Sequence, residues 1–341
     1  MAKRGAHTDA DNGAASAADA DREGVSGGVQ GSPGARLRAL WRQWAESRGE
    51  AEAAKRGIAA TLAVPGVPDP LVARLAEQAG FSALYVSGAA TSNQGLGLPD
   101  LGLATATEMA EWAGRIARTV SVPVIADADT GYGNALNAWR TVTLFERAGV
   151  AGIHLEDQTF PKRCGHVAGK RLIERAEMEG RIRAACRARA DSGFVIIART
   201  DARAVEGLDG AIERGLAYLE AGADAVFPEA LESEEELATY AERLSGAVLV
   251  ANCTEFGKTP IIPSRRFAEL GYATVLFPVS ALRVMLGAAR EFLRGLRESG
   301  TQKEFLQKML TRAELYDLLE YQRFTEMEKA FLPEGGVAPL E

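Results

Sequence analysis

Pro123-Val124-Ile125-Ala126-Asp127-Ala128-Asp129-Thr130-Gly131-Tyr132-Gly133 is the stretch on which the reading of this chain turns. Its apolar first half has the composition of a buried strand, and its second half is a polar exit punctuated by glycine. Alternation with a period of two sets Asp127 and Asp129 on one face and Ala126 and Ala128 on the other. The stretch that follows, Asn134 to Ala148, has helix length and spacing and stops at Gly149, as C-cap glycines do. The same unit recurs along the chain. Short apolar or β-branched runs lie at Ile58 to Leu62, Ala83 to Ser87, Pro123 to Asp127, Val150 to Glu156, Phe194 to Arg199, Ala223 to Glu229, Val248 to Asn252 and Ala273 to Phe277. Amphipathic stretches separate them, among them Asp69 to Ala79, Thr107 to Arg118, Arg175 to Ala190, Leu208 to Ala221 and Ser233 to Leu244. Eight strands alternating with helices over about 250 residues predict an α/β fold, a (β/α)8 barrel of the TIM type, in preference to an open doubly wound sheet of five or six strands.

At 341 residues the chain suits one such barrel with a tail. Residues 1–35 are built from Gly, Ala, Asp and Ser with only Val25 and Val29 as branched aliphatics, and read as a disordered extension and not a signal peptide. Leu37, Leu40, Trp41 and Trp44 share one face of a short helix that opens the folded body. The barrel is expected over residues 36–300 and a C-terminal helical segment with a tail over 301–341. Ala281 to Leu296 and Gln302 to Phe331 are too much helix for one closing element, so the surplus is expected to pack on another subunit.

Composition excludes several classes. The chain is 47% hydrophobic with no apolar run near the roughly 18 residues of a membrane helix. Its 39 basic and 46 acidic side chains leave a net charge of −7, which offers nothing to a nucleic-acid backbone. The three cysteines, Cys164, Cys186 and Cys253, are too widely spaced for a disulfide framework or a zinc cluster, and fit free thiols in a reducing cytoplasm.

Polar residues gather at the C-terminal ends of the predicted strands, where barrel enzymes carry their active sites. Two carboxylates as close as Asp127 and Asp129 need a cation. Strand four ends in His154-Leu155-Glu156-Asp157 and strand two leads through a Gly-rich loop to Asp100, so four carboxylates can converge at the mouth. Oxygen-only ligation suits Mg²⁺ or Mn²⁺. Zinc would ask for histidine, and the chain has only His7, His154 and His166. Parity puts Tyr85 with Ser87, His154 with Glu156, Val195 and Ile197 with Arg199, Phe227 with Glu229, and Val250 with Asn252 on the face lining the pore. A guanidinium beside carboxylates, as at Arg199, suits bidentate binding of a substrate carboxylate. His154 reads equally well as a satisfied structural group and as a site residue. After strand four, Phe160-Pro161-Lys162-Arg163-Cys164-Gly165-His166 reads as a mobile lid whose cations would lower the Cys164 pKa and make it a proton donor or acceptor. Cys186, within a helix, reads as inert.

Asp127-Ala128-Asp129-Thr130-Gly131-Tyr132-Gly133, Glu156-Asp157-Gln158 and Lys162-Arg163-Cys164-Gly165-His166 together resemble the isocitrate lyase and phosphoenolpyruvate mutase superfamily. Phe227-Pro228-Glu229-Ala230, Asn252-Cys253-Thr254-Glu255-Phe256-Gly257 and Gly300-Thr301-Gln302-Lys303 resemble its 2-methylisocitrate lyase branch, over about Lys55 to about Ala330. The resemblance implies Mg²⁺-dependent cleavage of a tricarboxylate, 2-methylisocitrate, to pyruvate and succinate in the methylcitrate cycle of propionate breakdown, by a cytoplasmic homotetramer that exchanges C-terminal helices. It implies that Asp127 holds the metal directly and Asp100, Asp129 and Glu156 through water. Tyr85, with Asp100 as rival, is the implied base, and Cys164 the implied proton donor to the succinate carbanion, with Lys162 and His166 beside it. Arg199, Asn252 and Thr254 are implied carboxylate holders. Ser87, Gly88 and Ala89 are implied donors to the pyruvate half, and Phe227 is implied to shape the room for the methyl group. Gly165, His154 and Glu229 complete the implied substrate contacts. Ser87-Gly88-Ala89-Ala90-Thr91 departs from the Ser-Gly-Gly-Gly common in these lyases, and the added methyl narrows the pocket. The alternatives are a carboxyphosphonoenolpyruvate mutase, a lyase or hydrolase of dimethylmalate or oxaloacetate, and a non-catalytic dicarboxylate-binding barrel.

Overall fold

The computed structural model of the protein describes residues 31–47, 61–163, 165 and 169–331. Gly31 apart, these belong to one compact unit, Ser32–Glu341. Eight strands are present: β1 Leu62–Pro65, β2 Leu84–Val86, β3 Val124–Asp127, β4 Gly152–Glu156, β5 Val195–Thr200, β6 Ala225–Pro228, β7 Val250–Asn252 and β8 Thr274–Phe277. Every pairing between them is parallel. They run in two arcs, β2-β3-β4-β5-β6 and β1-β8-β7. Single parallel bridges, Gly66 to Tyr85 and Val226 to Leu249, join the arcs at two seams and complete the ring.

The helices in chain order are α1 Pro33–Ser47, α2 Pro70–Gln78, α3 Ala106–Ala117, α4 Ala135–Ala148, α5 Arg175–Ala188, α6 Arg203–Glu220, α7 Glu234–Arg243, α8 Ser264–Leu270 and α9 Ser280–Ser299, then α10 Arg312–Leu318 and α11 Tyr321–Phe331. Local chemistry sets their ends. Asn134 caps α4 by accepting from the Leu136 and Asn137 amides, and Gly149 ends it in the left-handed region. The predicted start of the sixth helix at Leu208 is its regular part. The preceding turn from Arg203 is set off by a kink at Gly207, whose φ of 80° only glycine adopts without strain.

Side-chain alternation sorts the core into two layers. Val64, Tyr85, Ile125, Val195, Ile197, Phe227, Val250 and Leu276 fill the barrel interior. Ala126, Ala128, Ile153, Leu155, Ile196 and Ala198 face outward and pack beneath Met109, Val142, Phe145 and Ile182 of the helices. Helix α1 closes the N-terminal end of the barrel. Leu37, Trp41 and Trp44 are buried with the interior cluster, and Trp41 Nε1 donates to Thr274 Oγ1 at 2.9 Å. Arg38 donates to the Gly193 carbonyl and pairs with Asp224 at 2.8 Å.

Three boundaries differ from expectation. Helix α1 begins at Pro33, so the folded chain starts ahead of residue 36, because Gly34 packs directly on the Gly193–Phe194 backbone. The first strand is Leu62–Pro65, not Ile58 to Leu62; Ile58 and its neighbours to residue 60 lie outside the described residues, and Val64 is the interior side chain. The expected run from Gln302 to Phe331 is three pieces, a 3₁₀ turn at Lys303–Lys308, α10 and α11, broken where Thr311 and Glu314 form a new capping box. Leu293 of α9 and Leu310, Phe324 and Phe331 of this C-terminal arm are exposed, Phe331 at 79%. No helix among the described residues is long and apolar enough to cross a membrane.

Candidate active site

A cavity of about 500 Å³ opens at the C-terminal ends of the strands. Tyr85, Ser87 and Ala89 reach it from the end of β2, Asp127 from β3, Arg199 from β5, and Phe227 and Glu229 from β6. Asn252 and Thr254 reach it from β7, and Asp100, Lys162 and Gly165 from the loops. The structure thus brings together most of the residues singled out from the sequence. Cys164 and His166 lie outside the described residues.

Asp127 is buried and well held: its Oδ2 accepts from the Gly88 amide at 3.0 Å and its Oδ1 from the Asp129 amide at 2.9 Å. Burial alone would raise its pKa, but His154, Lys162 and Arg199 outweigh burial and hold it at about 2, a fixed carboxylate. The Gly88 amide, expected to face substrate, is therefore committed to Asp127. Ser87 Oγ caps the short helical turn Gly88–Ala90 by accepting from the Ala90 amide. Asp129 sits at φ 46° and ion-pairs with Lys162 at 2.9 Å, and burial raises its pKa to about 6. Lys162 Nζ also bonds Asp100, so one buried ammonium stands between two of the four expected carboxylates. Burial works against that charge, yet Asp129, Glu156, Asp100 and Asp127 together push the Lys162 pKa well up.

Glu156 has zero exposure and neither carboxylate oxygen in a hydrogen bond; the nearest cation is Arg199 Nη1 at 3.4 Å. Burial pushes its pKa well up. Among the described residues no three acidic, histidine or cysteine side chains stand at mutual ligating distance. The donor set still fits a hard cation: the firmly ionised Asp127, with Asp100, Asp129 and the unbonded oxygens of Glu156 at the same end of the barrel, matches an ion that keeps several waters. Asp157, next in sequence, is turned outward by strand parity and bonded to Thr200, Tyr218 and the Asp201 amide.

Tyr85 Oη lies 2.7 Å from His154 Nε2, and that nitrogen is 3.6 Å from Asp127 Oδ1. Burial raises the Tyr85 pKa well above its ordinary value, with Asp127 adding to it, and burial lowers that of His154. The phenol thus stays protonated against the imidazole, and Phe227 packs edge-on against the His154 ring. Arg199 is clamped from below: Nε donates to Asp201 Oδ2 at 3.0 Å and Nη2 to Asp201 Oδ1 at 3.3 Å. Its outer face is 3.4 Å from Glu229 Oε2, and Glu229 accepts from Asn252 Nδ2 at 3.2 Å. Sequence reading missed Asp201. The signal was available, since Arg199-Thr200-Asp201 places the carboxylate two residues on, on the same face. Asn93 in the helical turn Thr91–Gly95, Glu255 in the loop after β7 and Arg283 on α9 also line the cavity and were not singled out as site residues. Cys186, read as inert, is half-buried, and its Sγ donates to the Gly222 carbonyl at 3.1 Å.

The model of the phosphoenolpyruvate phosphomutase family matches residues 55–297. The chain is 52% identical over 267 residues to the 2-methylisocitrate lyase of Aeropyrum pernix, covering 78% of this chain and 85% of that protein. It is 46% identical over 269 residues to the 2-methylisocitrate lyase of Bacillus subtilis, covering 79% and 88%. Among solved structures, a 2,3-dimethylmalate lyase superposes with a TM-score of 0.80 at 35% identity, covering 91% of this chain and 100% of that one. A phosphonopyruvate hydrolase in complex with oxalate and Mg²⁺ superposes at 0.77 and 32% identity, covering 89% and 100%. With its parallel barrel, its mouth of carboxylates and one clamped arginine, the chain belongs to the phosphoenolpyruvate mutase and isocitrate lyase superfamily, in which it groups with the 2-methylisocitrate lyases.

Proposed function

We propose that the chain is a Mg²⁺-dependent carbon–carbon lyase that cleaves 2-methylisocitrate to pyruvate and succinate, the cleavage step of propionate breakdown through the methylcitrate cycle. The observation that carries this reading is that the ionised Asp127 and the clamped Arg199 line one cavity, with the loop residue Gly165 also on its wall. Asp127, with Asp100, Asp129 and Glu156, would hold a Mg²⁺ or Mn²⁺ ion, which would supply Lewis-acid polarisation of the substrate's oxygens.

Arg199, Asn252 and Thr254 hold the carboxylates of the succinate half, while Ser87, Gly88 and Ala89 shape the end that takes the pyruvate half. Since Gly88 already bonds Asp127, its part is to keep that carboxylate aimed. A base removes the hydroxyl proton, the carbonyl of pyruvate forms, and the bond to the neighbouring carbon breaks. The electron pair stays on the succinate carbon. Tyr85 and its rival Asp100, both on the cavity wall, are the groups placed to act as that base; burial keeps the resting Tyr85 protonated against His154, and Asp100 is bonded to Lys162. Cys164 then delivers the proton to the succinate carbanion, in the setting of Lys162 and His166. The exposed apolar side chains of α9 to α11 support packing of these helices on neighbouring subunits, in what we take to be a homotetramer of the cytoplasm.

Ala89 favours a second reading. It lines the cavity and packs with Ala90, Val279 and Leu282, an apolar wall that also suits a smaller methylated dicarboxylate such as 2,3-dimethylmalate. The test is turnover of 2-methylisocitrate, isocitrate, 2,3-dimethylmalate, oxaloacetate and phosphonopyruvate, with products identified by mass. Pyruvate and succinate from the first, at the highest kcat/KM, is the expected result. Preference for any other substrate, or no cleavage at all, refutes the assignment.

A further inference from the structure

Lys170 belongs to none of the roles above, yet it is buried at the end of the loop that follows β4 and makes two bonds from one ammonium. One goes to the backbone carbonyl of Gly165, the other to Asp201 Oδ1 at 2.9 Å. Asp201 has no exposed surface and is the same carboxylate that clamps Arg199. A buried lysine is costly unless its hydrogens are all used, and a purely structural ion pair would need only Asp201. Here the second acceptor is the main chain of a cavity-wall residue. A Cβ at Gly165 would lie 2.6 Å from Arg199 Nη2, so this backbone sits directly on the arginine.

We propose that Lys170 is a positioning residue: through Asp201 and the Gly165 carbonyl it fixes the loop backbone against Arg199, so that the loop and the carboxylate-binding guanidinium keep one relative placement. The proposal rests on the lyase reading for its kinetic arm. In Lys170→Met, Asp201 still neutralises Arg199 through both of its bonds, so substrate binding persists while the loop loses its tether. The expected result is a kcat about ten- to a hundredfold lower with KM changed by less than threefold, the scale on which a misplacement of about 1 Å acts. Lys170→Arg, which can make both bonds, restores kcat to within about threefold. Asp201→Asn, by contrast, loosens Arg199 and raises KM.

Kinetics use whichever substrate the wild type turns over, so an error in the substrate assignment shows in the wild type alone. Hydrogen exchange over residues 159–172 needs no substrate and should quicken in Lys170→Met, with the barrel strands unchanged. Lys170→Gln repeats both measurements if the methionine variant does not fold. A kcat near wild type in these variants, exchange no faster in the loop than elsewhere, or a drop in thermal stability that Lys170→Arg does not reverse would overturn the proposal and leave Lys170 a structural ion pair.

Discussion

Gly165→Ala is the smallest change that should stop turnover without unfolding the protein. A Cβ built on Gly165 would lie 2.4 Å from Glu229 Cγ and 2.6 Å from Arg199 Nη2. Ordinary carbon contacts begin near 3.5 Å. Neither neighbour can yield: Arg199 is clamped by Asp201, and Glu229 is buried and bonded to Asn252. The loop must therefore retreat by about 1 Å, and a displacement of that size at a reacting site costs on the order of a hundredfold in rate, about 2.7 kcal/mol of barrier. The clash is with Arg199 and Glu229 at the barrel rim, but the loop takes up the displacement, so thermal unfolding should stay within about 2 °C of wild type, the shift expected for about 1 kcal/mol in a chain of this size. Steady-state kinetics on the purified variant, paired with a melting curve, make the test. A kcat within threefold of wild type would show that the loop does not work from the position described, and a large loss of stability would show that it belongs to the core.

Three further outcomes are expected. Asp127→Ala should abolish activity with the fold intact, and the wild type should be silent in excess chelator and recover with Mg²⁺ or Mn²⁺; full activity in chelator contradicts the metal assignment. Trp41→Ala removes a buried indole and its bond to Thr274, which should cost about 3–5 kcal/mol in denaturant unfolding, and a loss below about 1 kcal/mol would mean that α1 does not seal the barrel. Truncation after Gly300 should break the assembly in light scattering, because it removes the exposed apolar faces of α10 and α11; an unchanged mass rejects their role between subunits.

Much of this was legible because of how a parallel barrel is built. Strands buried on both faces are written as apolar runs, and a period of two then assigns each side chain to the interior or to the helix layer. That rule alone separates Glu156, which lies beside Arg199, from Asp157, which faces Tyr218. It did not predict what the charges would pair with. Lys162 was read as a neighbour of the lid thiol, yet its ammonium stands between Asp100 and Asp129, one on the loop after β2 and one at the end of β3. Lys170 and Asp201 were passed over for a similar reason: their meaning lies in a contact between two loop ends about 30 residues apart. Trp41 and Trp44 marked a helix, but only closure of the ring makes that helix a stopper.

The two seams have a consequence for how the molecule responds to its ligand. Asp127, Glu156, Arg199 and Glu229 all belong to the five-strand arc, whereas Asn252 and Thr254 belong to the three-strand arc. Across the seam between them the main chain supplies one bridge, Val226 to Leu249, and at the cavity rim the side chains add the bonds from Asn252 to Glu229. A polycarboxylate held at once by Arg199 and by Asn252 would be a rivet through one of the two thin seams of the wall. Its binding energy would be shared between catalysis and the cohesion of the ring, so occupancy should harden the whole barrel against heat.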